Sequence, residues 1–211
     1  MSANEESSQP LRKGLLVSVS GPSGVGKGTV IQRVRDRIPD IAHSVSVTSR
    51  ERREREIEGV SYFFKTKEEF QRMLANDEIL EYDIYLNHYY GTPIAPLIEL
   101  INAGRDVLFD LTVCGSLALK EKFPEAVTIF LLPPSMSDLR DRLVRRGTEC
   151  IEVIERRLLE ASVEIPKADL FDYAVINDDL ERASDRIIAI IEAEKYRYIR
   201  QIGIEDRILN G

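Results

Sequence analysis

One short stretch limits what this chain can fold into: Gly21-Pro22-Ser23-Gly24-Val25-Gly26-Lys27-Gly28-Thr29. The apolar run Leu15 to Val19 leads into it, and a helical pattern starting near Lys27 leads out. Strand, glycine-rich loop and helix in that order make a phosphate-binding loop. Glycines let successive backbone N–H groups turn inward around an anion with no side chain in the way. The helix N-terminus adds roughly half a positive charge. Lys27 supplies a mobile cation for the outer phosphates. The strict pattern places Ser or Thr directly after the lysine, to reach Mg²⁺; here Gly28 stands there and the hydroxyl follows at Thr29.

A chain of 211 residues is long enough for one domain with a substantial core. Its net charge of −7 argues against a general nucleic-acid surface. No apolar stretch approaches the ~18 residues a membrane span needs. Met1 to Pro10 is polar and rich in Ser and Glu, and reads as a disordered tail rather than a targeting segment. Cys114 and Cys150 have no metal spacing and read as reduced thiols of a cytosolic protein.

Along the chain, Val30, Ile31, Val34 and Ile38 continue the first helix on one side. His43 to Val47 alternates like a short strand. Ser46 to Glu56 is dense in arginine and acid; Arg50 and Arg53 present guanidinium forks that match phosphate oxygens in pairs. Thr66 and Glu69 form a capping box that opens a helix. Ile79 to Tyr82 reads as a strand carrying Glu81, and Tyr89 to Thr92 follows a turn at Asn87. Pro93 admits a helix from Ile94 to Ala103, closed by Gly104. Val107 to Thr112 is an apolar strand carrying Asp110 near its end, where a parallel sheet gathers ligand-facing residues. Asp110 is a candidate to orient a metal's waters or, alternatively, to cap the next helix.

Val127 to Leu132 is a further buried strand. Ser135 caps a helix running through Arg146, with Arg142 and Arg146 on one face. Gly147 breaks it, and a second helix, Ile151 to Ile165, carries Arg156 and Arg157. Tyr173 to Asn177 reads as the last strand, and Asn177-Asp178 opens a long helix through about Tyr198. Strands alternating with helices predict an α/β fold, a parallel sheet with helices on both faces. The segment from Ser46 to Thr92 interrupts that rhythm and reads as an inserted subdomain.

From about Leu15 to Tyr196 the sequence resembles guanylate kinase, a P-loop nucleoside monophosphate kinase family. The resemblance rests on the GPSGVGKGT loop, SVSVTSR, GVSYFF, ILEY, HYYGT, VLFD, the PPS turn, RLVRRGT, ERRL and VINDDLERA. It implies a three-layer P-loop NTPase fold: a core within 14–211, a mixed α/β GMP-binding insertion at 46–92, a helical lid at 142–165, and a tail at 1–13. It implies ATP binding by Gly21, Pro22, Ser23, Gly24, Val25, Gly26, Lys27, Gly28 and Thr29. The GMP phosphate would fall to Arg50, Arg53, Tyr62 and Tyr90, and the guanine to Ser46, Glu81 and Thr92. Lys27, Arg142, Arg146 and Arg157 would serve the transferring group, with Mg²⁺ held by Thr29 and Asp110 through water. The reaction implied is ATP + GMP → ADP + GDP, with dGMP as a further acceptor, in the cytoplasm, and with no nucleic-acid, membrane or obligatory protein partner. Thr112, also placed at the base, stands where the family usually has a second aspartate. Arg52, Glu54 and Arg55 replace the family's Pro and Gly in the arginine turn, and Asn87 replaces a glycine. A kinase of another nucleotide or a sugar phosphate stays open as an alternative, as does a non-catalytic interaction module. A switch GTPase lacks its N-K-x-D motif here.

Overall fold

The computed structural model describes residues 13–85, 87–145, 150–201 and 203–210, with the backbone alone of Tyr85. Five strands form a parallel sheet in the order β2-β7-β1-β8-β9. They are β1 (Leu16–Ser20), β2 (Ala42–His43), β7 (Val107–Asp110), β8 (Val127–Leu132) and β9 (Tyr173–Ile176). β1 lies at the centre, pairing Val17 with Leu108 on one side and with Val127 on the other. Its side chains alternate faces. Val17 and Val19 pack into a cluster with Val30, Ile31 and Val34 of α1 (Lys27–Arg37) and Ala183, Ile187 and Ile191 of α7 (Leu180–Lys195). Leu16 points the other way, to Leu97 of α3 (Ile94–Asn102), Leu119 of α4 (Val113–Lys122) and Phe109. Helices on both faces of one parallel sheet give the three layers.

The interruption between the first and third core crossings is a second, four-stranded mixed sheet, β4-β3-β6-β5. It comprises β3 (Val47–Thr48), β4 (Phe63–Phe64), β5 (Ile79–Tyr85) and β6 (His88–Pro93), covered by α2 (Lys67–Ala75). Val47, Phe70 and Ile79 form a cluster within it, with Phe63, Met73, Leu74 and Tyr89 packed against them, while Leu80 of β5 packs into the core-sheet cluster with Leu97 and Leu119. The capping box at α2 is present in both directions: Thr66 Oγ1 accepts the Glu69 N–H at 3.1 Å and Glu69 Oε2 accepts the Thr66 N–H at 2.7 Å. Asn87 takes a φ of 65° in the β5–β6 turn, the role expected of the glycine it replaces.

A third core joins α5 (Met136–Arg145) to α6 (Ile151–Glu164) through Leu139, Leu143, Ile154, Leu158 and Ala161. Ser135 caps α5, accepting the Asp138 N–H at 3.0 Å. A short 3₁₀ turn, Ile165–Leu170, returns the chain to β9, and α8 (Ile204–Asn210) ends the described residues.

Several boundaries differ from the sequence reading. His43 to Val47 is not one strand: β2 joins the core sheet and β3 the second sheet, so the chain changes sheets between them. β7 stops at Asp110, because Thr112 leaves the sheet to cap α4, the helix expected after the strand, for which Asp110 is the candidate cap in the sequence reading. The C-terminal helix begins at Leu180 with Asp179 as its cap, accepting the Arg182 N–H at 3.0 Å, and not at Asn177-Asp178. The 1–13 tail, except residue 13, lies outside the described residues, as do Arg146 and Gly147.

Candidate active site

The glycine-rich loop turns back on itself between β1 and α1. Gly26 is the residue before α1 and sits at φ 99°, ψ 22°, a left-handed conformation that side chains disfavour. A Cβ there would also meet the Asn177 amide at 2.8 Å. At Gly21 a Cβ would fall 2.2 Å from the Leu131 carbonyl oxygen, so β8 admits only glycine at the loop's entry. The loop is pinned from outside at one carbonyl. Val25 O accepts from Asn177 Nδ2 at 2.8 Å and from Arg142 Nη1 at 3.0 Å. Arg142 Nη2 donates to the Asn177 carbonyl at 2.7 Å.

Lys27 folds over this loop, its Nζ donating to the Gly21 carbonyl at 2.8 Å. Burial holds its ammonium below the usual lysine range, while Asp110 and Glu164 pull the other way. Asp110 projects from the C-terminal end of β7, where the crevice opens. Desolvation lifts its carboxyl above the usual range, against the opposing pull of Lys27 and His43. It does not cap α4. That task belongs to Thr112, whose Oγ1 accepts the Gly115 N–H at 3.1 Å. Gly28 and Thr29 are both exposed in the first turn of α1, and nothing lies within 4 Å of a Cβ built on Gly28.

A second group of residues converges where β5 and β6 meet α4. Glu81 Oε1 accepts the Thr92 hydroxyl at 2.6 Å. A Cβ added to Gly115 would stand 3.1 Å from Glu81 Oε2, so the glycine lets the first turn of α4 close onto the carboxylate. Burial raises the Glu81 carboxyl above the usual range; Thr92 works against the rise and Asp83 adds to it. Thr112 is exposed beside this group, and Ser46 is half-buried just before β3.

A third group surrounds Arg50. The rings of Tyr62 and Tyr90 meet edge to face at 6.0 Å, and the Arg50 guanidinium carbon lies 5.6 Å from the Tyr62 ring centre. Arg50 forms a two-point ion pair with Glu56, at 2.6 and 3.0 Å. Arg53 is exposed on the same loop, and its backbone N–H donates to Glu56 Oε2 at 2.8 Å.

Chemically, these groups are an anion nest with a lysine over it, a half-buried carboxylate that accepts hydrogen bonds, and a guanidinium set between tyrosines. The guanylate kinase family model matches residues 13–194. The guanylate kinase of Halalkalibacterium halodurans is 48% identical over 190 residues, spanning 90% of this chain and 93% of that protein. The guanylate kinase of Carboxydothermus hydrogenoformans is 44% identical over 205 residues, spanning 93% of this chain and 100% of that one. The chain belongs to the guanylate kinase family. The crystal structure of guanylate kinase from Anaplasma phagocytophilum superposes with a TM-score of 0.72 at 33% identity, covering 93% of this chain and 94% of that one.

In this guanylate kinase fold the expected residues gather as three clusters. Lys27 and Asp110 share one, Glu81, Thr92 and Thr112 another, and Arg50, Tyr62 and Tyr90 the third. Arg142 is engaged with the backbone of the phosphate loop; its expected partner Arg146 lies outside the described residues. Arg157 lies two turns before Glu164 on α6, hence on the same helix face. Glu164 is close enough to Lys27 to feel its charge, so that face borders the phosphate loop. Three residues in this region escaped the sequence reading. Asn177 supports the loop through its side-chain amide, Glu164 adds acid beside Lys27, and Glu56 pairs with Arg50. The first follows β9 at the C-terminal edge of the sheet, which was a usable signal; the others depend on contacts that spacing does not encode. Among the described residues, no helix is long and apolar enough to cross a membrane.

Proposed function

We propose that this chain transfers the γ-phosphoryl group of ATP to the phosphate of GMP, giving ADP and GDP, with dGMP as a further acceptor. The observation that carries the reading is Glu81. A half-buried carboxylate, steadied by the Thr92 hydroxyl, faces the first turn of α4 in a chain that also carries a phosphate loop. A carboxylate accepts from guanine N1–H and N2–H₂ together, whereas adenine lacks that donor pair. Ser46, Thr92 and Thr112 complete the base site, and Arg50, Arg53, Tyr62 and Tyr90 hold the GMP phosphate. The loop from Gly21 to Thr29 cradles the ATP phosphates. Lys27, Arg142, Arg146 and Arg157 meet the charge that builds on the transferring group. Catalysis is then alignment and charge stabilisation without a covalent intermediate.

Asp110 and Thr29 offer a carboxylate and a hydroxyl at the crevice, a donor set that suits Mg²⁺, which takes one or two protein oxygens beside phosphates and water. Bound there through water, Mg²⁺ would supply neutralising charge to the ATP phosphates. Segment 46–92 is then the GMP-binding subdomain and 142–165 the lid.

The test is ADP release measured across GMP, dGMP, AMP, UMP and ribose phosphates, for wild type and Lys27→Ala. GMP and dGMP should be preferred. Lys27→Ala should fold normally and lose kcat by about 100-fold or more, the scale of removing one oxyanion donor. A preference for another acceptor, or a folded Lys27→Ala protein with near-normal turnover, overturns the reading.

A further inference from the structure

We propose that Glu56 is a positioning residue for the acceptor's phosphate, fixing one edge of the Arg50 guanidinium and the backbone of the Arg53 turn so that both arginines meet the phosphate as one preset unit. The inference rests on the acceptor reading above and deepens it.

The contacts of Glu56 are unusually complete for a residue in a run of mixed charge. Oε1 accepts from Arg50 Nη2 at 2.6 Å and Oε2 from Arg50 Nη1 at 3.0 Å, an end-on, two-point pair. Oε2 also accepts the Arg53 N–H at 2.8 Å, and the Glu56 N–H donates to the Arg53 carbonyl at 3.0 Å. No proline or glycine lies between Arg50 and Glu56 to preset this turn. The carboxylate closes it instead. The pair is sheltered, with side chains only 13% and 18% exposed, and the guanidinium carbon lies 6.0 Å from the Phe64 ring centre as well as near Tyr62.

A guanidinium has five N–H donors. Glu56 engages two, and the Glu51 carbonyl accepts from Nη1 at 2.7 Å, which uses that nitrogen's second hydrogen. The remaining Nε–H and second Nη2–H lie along one edge, whose spacing matches two oxygens of a phosphate. The Tyr90 hydroxyl stands beside the same guanidinium. A phosphate can therefore dock on the second edge while Glu56 keeps the first. An arginine loses rotamer freedom when it grips a ligand; Arg50 has given it up beforehand. The rival reading makes Glu56 a stand-in anion that leaves when the phosphate arrives. A stand-in needs only the guanidinium, whereas this carboxylate also ties the Arg53 backbone.

The two readings differ in sign. Glu56→Gln makes the site more positive by one charge, which alone favours a phosphate. If Glu56 positions the arginines, the same change weakens binding. The experiment uses the complete chain, wild type and Glu56→Gln, with Glu56→Asp to keep the charge at shorter reach. It measures KM for GMP and ATP, kcat, and calorimetric affinity for GMP and for guanosine. Glu56→Gln should raise KM and Kd for GMP about tenfold, with guanosine affinity, KM for ATP and kcat within about twofold. Glu56→Asp should fall between. GMP binding that is unchanged or tighter overturns the inference, as does an equal loss for GMP and guanosine, which would mark a general disturbance of the fold. Should Glu56→Gln fail to fold, the same GMP-against-guanosine comparison on Glu56→Asp decides. A wild type that neither binds nor phosphorylates GMP removes the acceptor reading and this inference with it. An active wild type beside an unaffected Glu56→Gln removes this inference alone.

Discussion

Burial raises the Glu81 carboxyl above the usual range, with the Thr92 hydroxyl opposing the rise and Asp83 adding to it. The thermodynamic sign follows. An acid whose pKa is raised on folding binds its proton more tightly in the native state than in the unfolded chain. Its contribution to stability therefore falls as pH climbs from the usual range near 4.5 through the raised value. Above that value the ionised side chain is a net cost to the fold, which the proposed contact with guanine would offset. Glu81→Gln removes the charge and keeps a carbonyl oxygen for the Thr92 hydroxyl. The expected outcome is a higher melting temperature than wild type at pH 7.5, with the difference vanishing toward pH 4. The same variant should raise KM for GMP by about 100-fold, the loss of two charge-assisted bonds of roughly 1.5 kcal/mol each. Thermal melts at the two pH values and steady-state kinetics check both halves. A variant less stable than wild type at pH 7.5 would show that Glu81 is structural first.

At the scale of elements, the proposed reading of the base turns on the first turn of α4. Thr112 caps the helix through Gly115, so one lone pair of its hydroxyl is already committed. Aspartate caps equally well and leaves a second oxygen free, in the favourable field of a helix N-terminus. Charge-assisted bonds contribute roughly 1.5–3 kcal/mol against about 1 for neutral ones. Thr112→Asp should therefore lower KM for GMP by a factor of about 2 to 30. A rise in KM would mean that repulsion with Glu81 outweighs the new bond. How much of these elements the sequence made legible depended on range. The capping box at Thr66 and the turn at Asn87 are local, and both stand as read. The extent of α4 was not legible. Its buried face is Val113, Gly115, Ser116 and Leu119, too small and too polar to show a helical period. β2 and β3 have two residues each, too few for an alternation to reveal that they belong to different sheets. The arginine-rich loop showed which charges were present but not that Glu56 would tie Arg50 to Arg53, because pairing there is set by how the turn closes.

Among the described residues the apolar packing of the whole molecule falls into four clusters: one on each face of the core sheet, with Leu80 of β5 joining the second of these, one in the second sheet around Val47, Phe70 and Ile79, and one in the α5–α6 pair around Leu139 and Leu143. Motion between packed units disturbs less than motion within one, so the second sheet and the α5–α6 pair, each with a cluster of its own, are the units placed to move. Gly115 meets Glu81 at the edge of the second sheet, and Arg142 holds the Val25 carbonyl from α5. The arginines proposed for the transferring group and for the acceptor stand on different bodies, yet phosphoryl transfer needs donor and acceptor in line with water excluded. Binding of both nucleotides should therefore draw the second sheet and the α5–α6 pair toward the crevice. For a compact chain of this length, with a radius of gyration of about 17 Å, closure should lower that radius by on the order of 1 Å. Small-angle scattering with a bisubstrate analogue joining adenosine and guanosine through phosphates should detect the change, and either nucleotide alone should give a smaller one. An unchanged radius at saturation would mean that the bodies are already in their working arrangement. Arg142 would then keep its grip on Val25 throughout the cycle, and Arg157, on the α6 face toward Lys27, would have to reach the transferring group without help from closure.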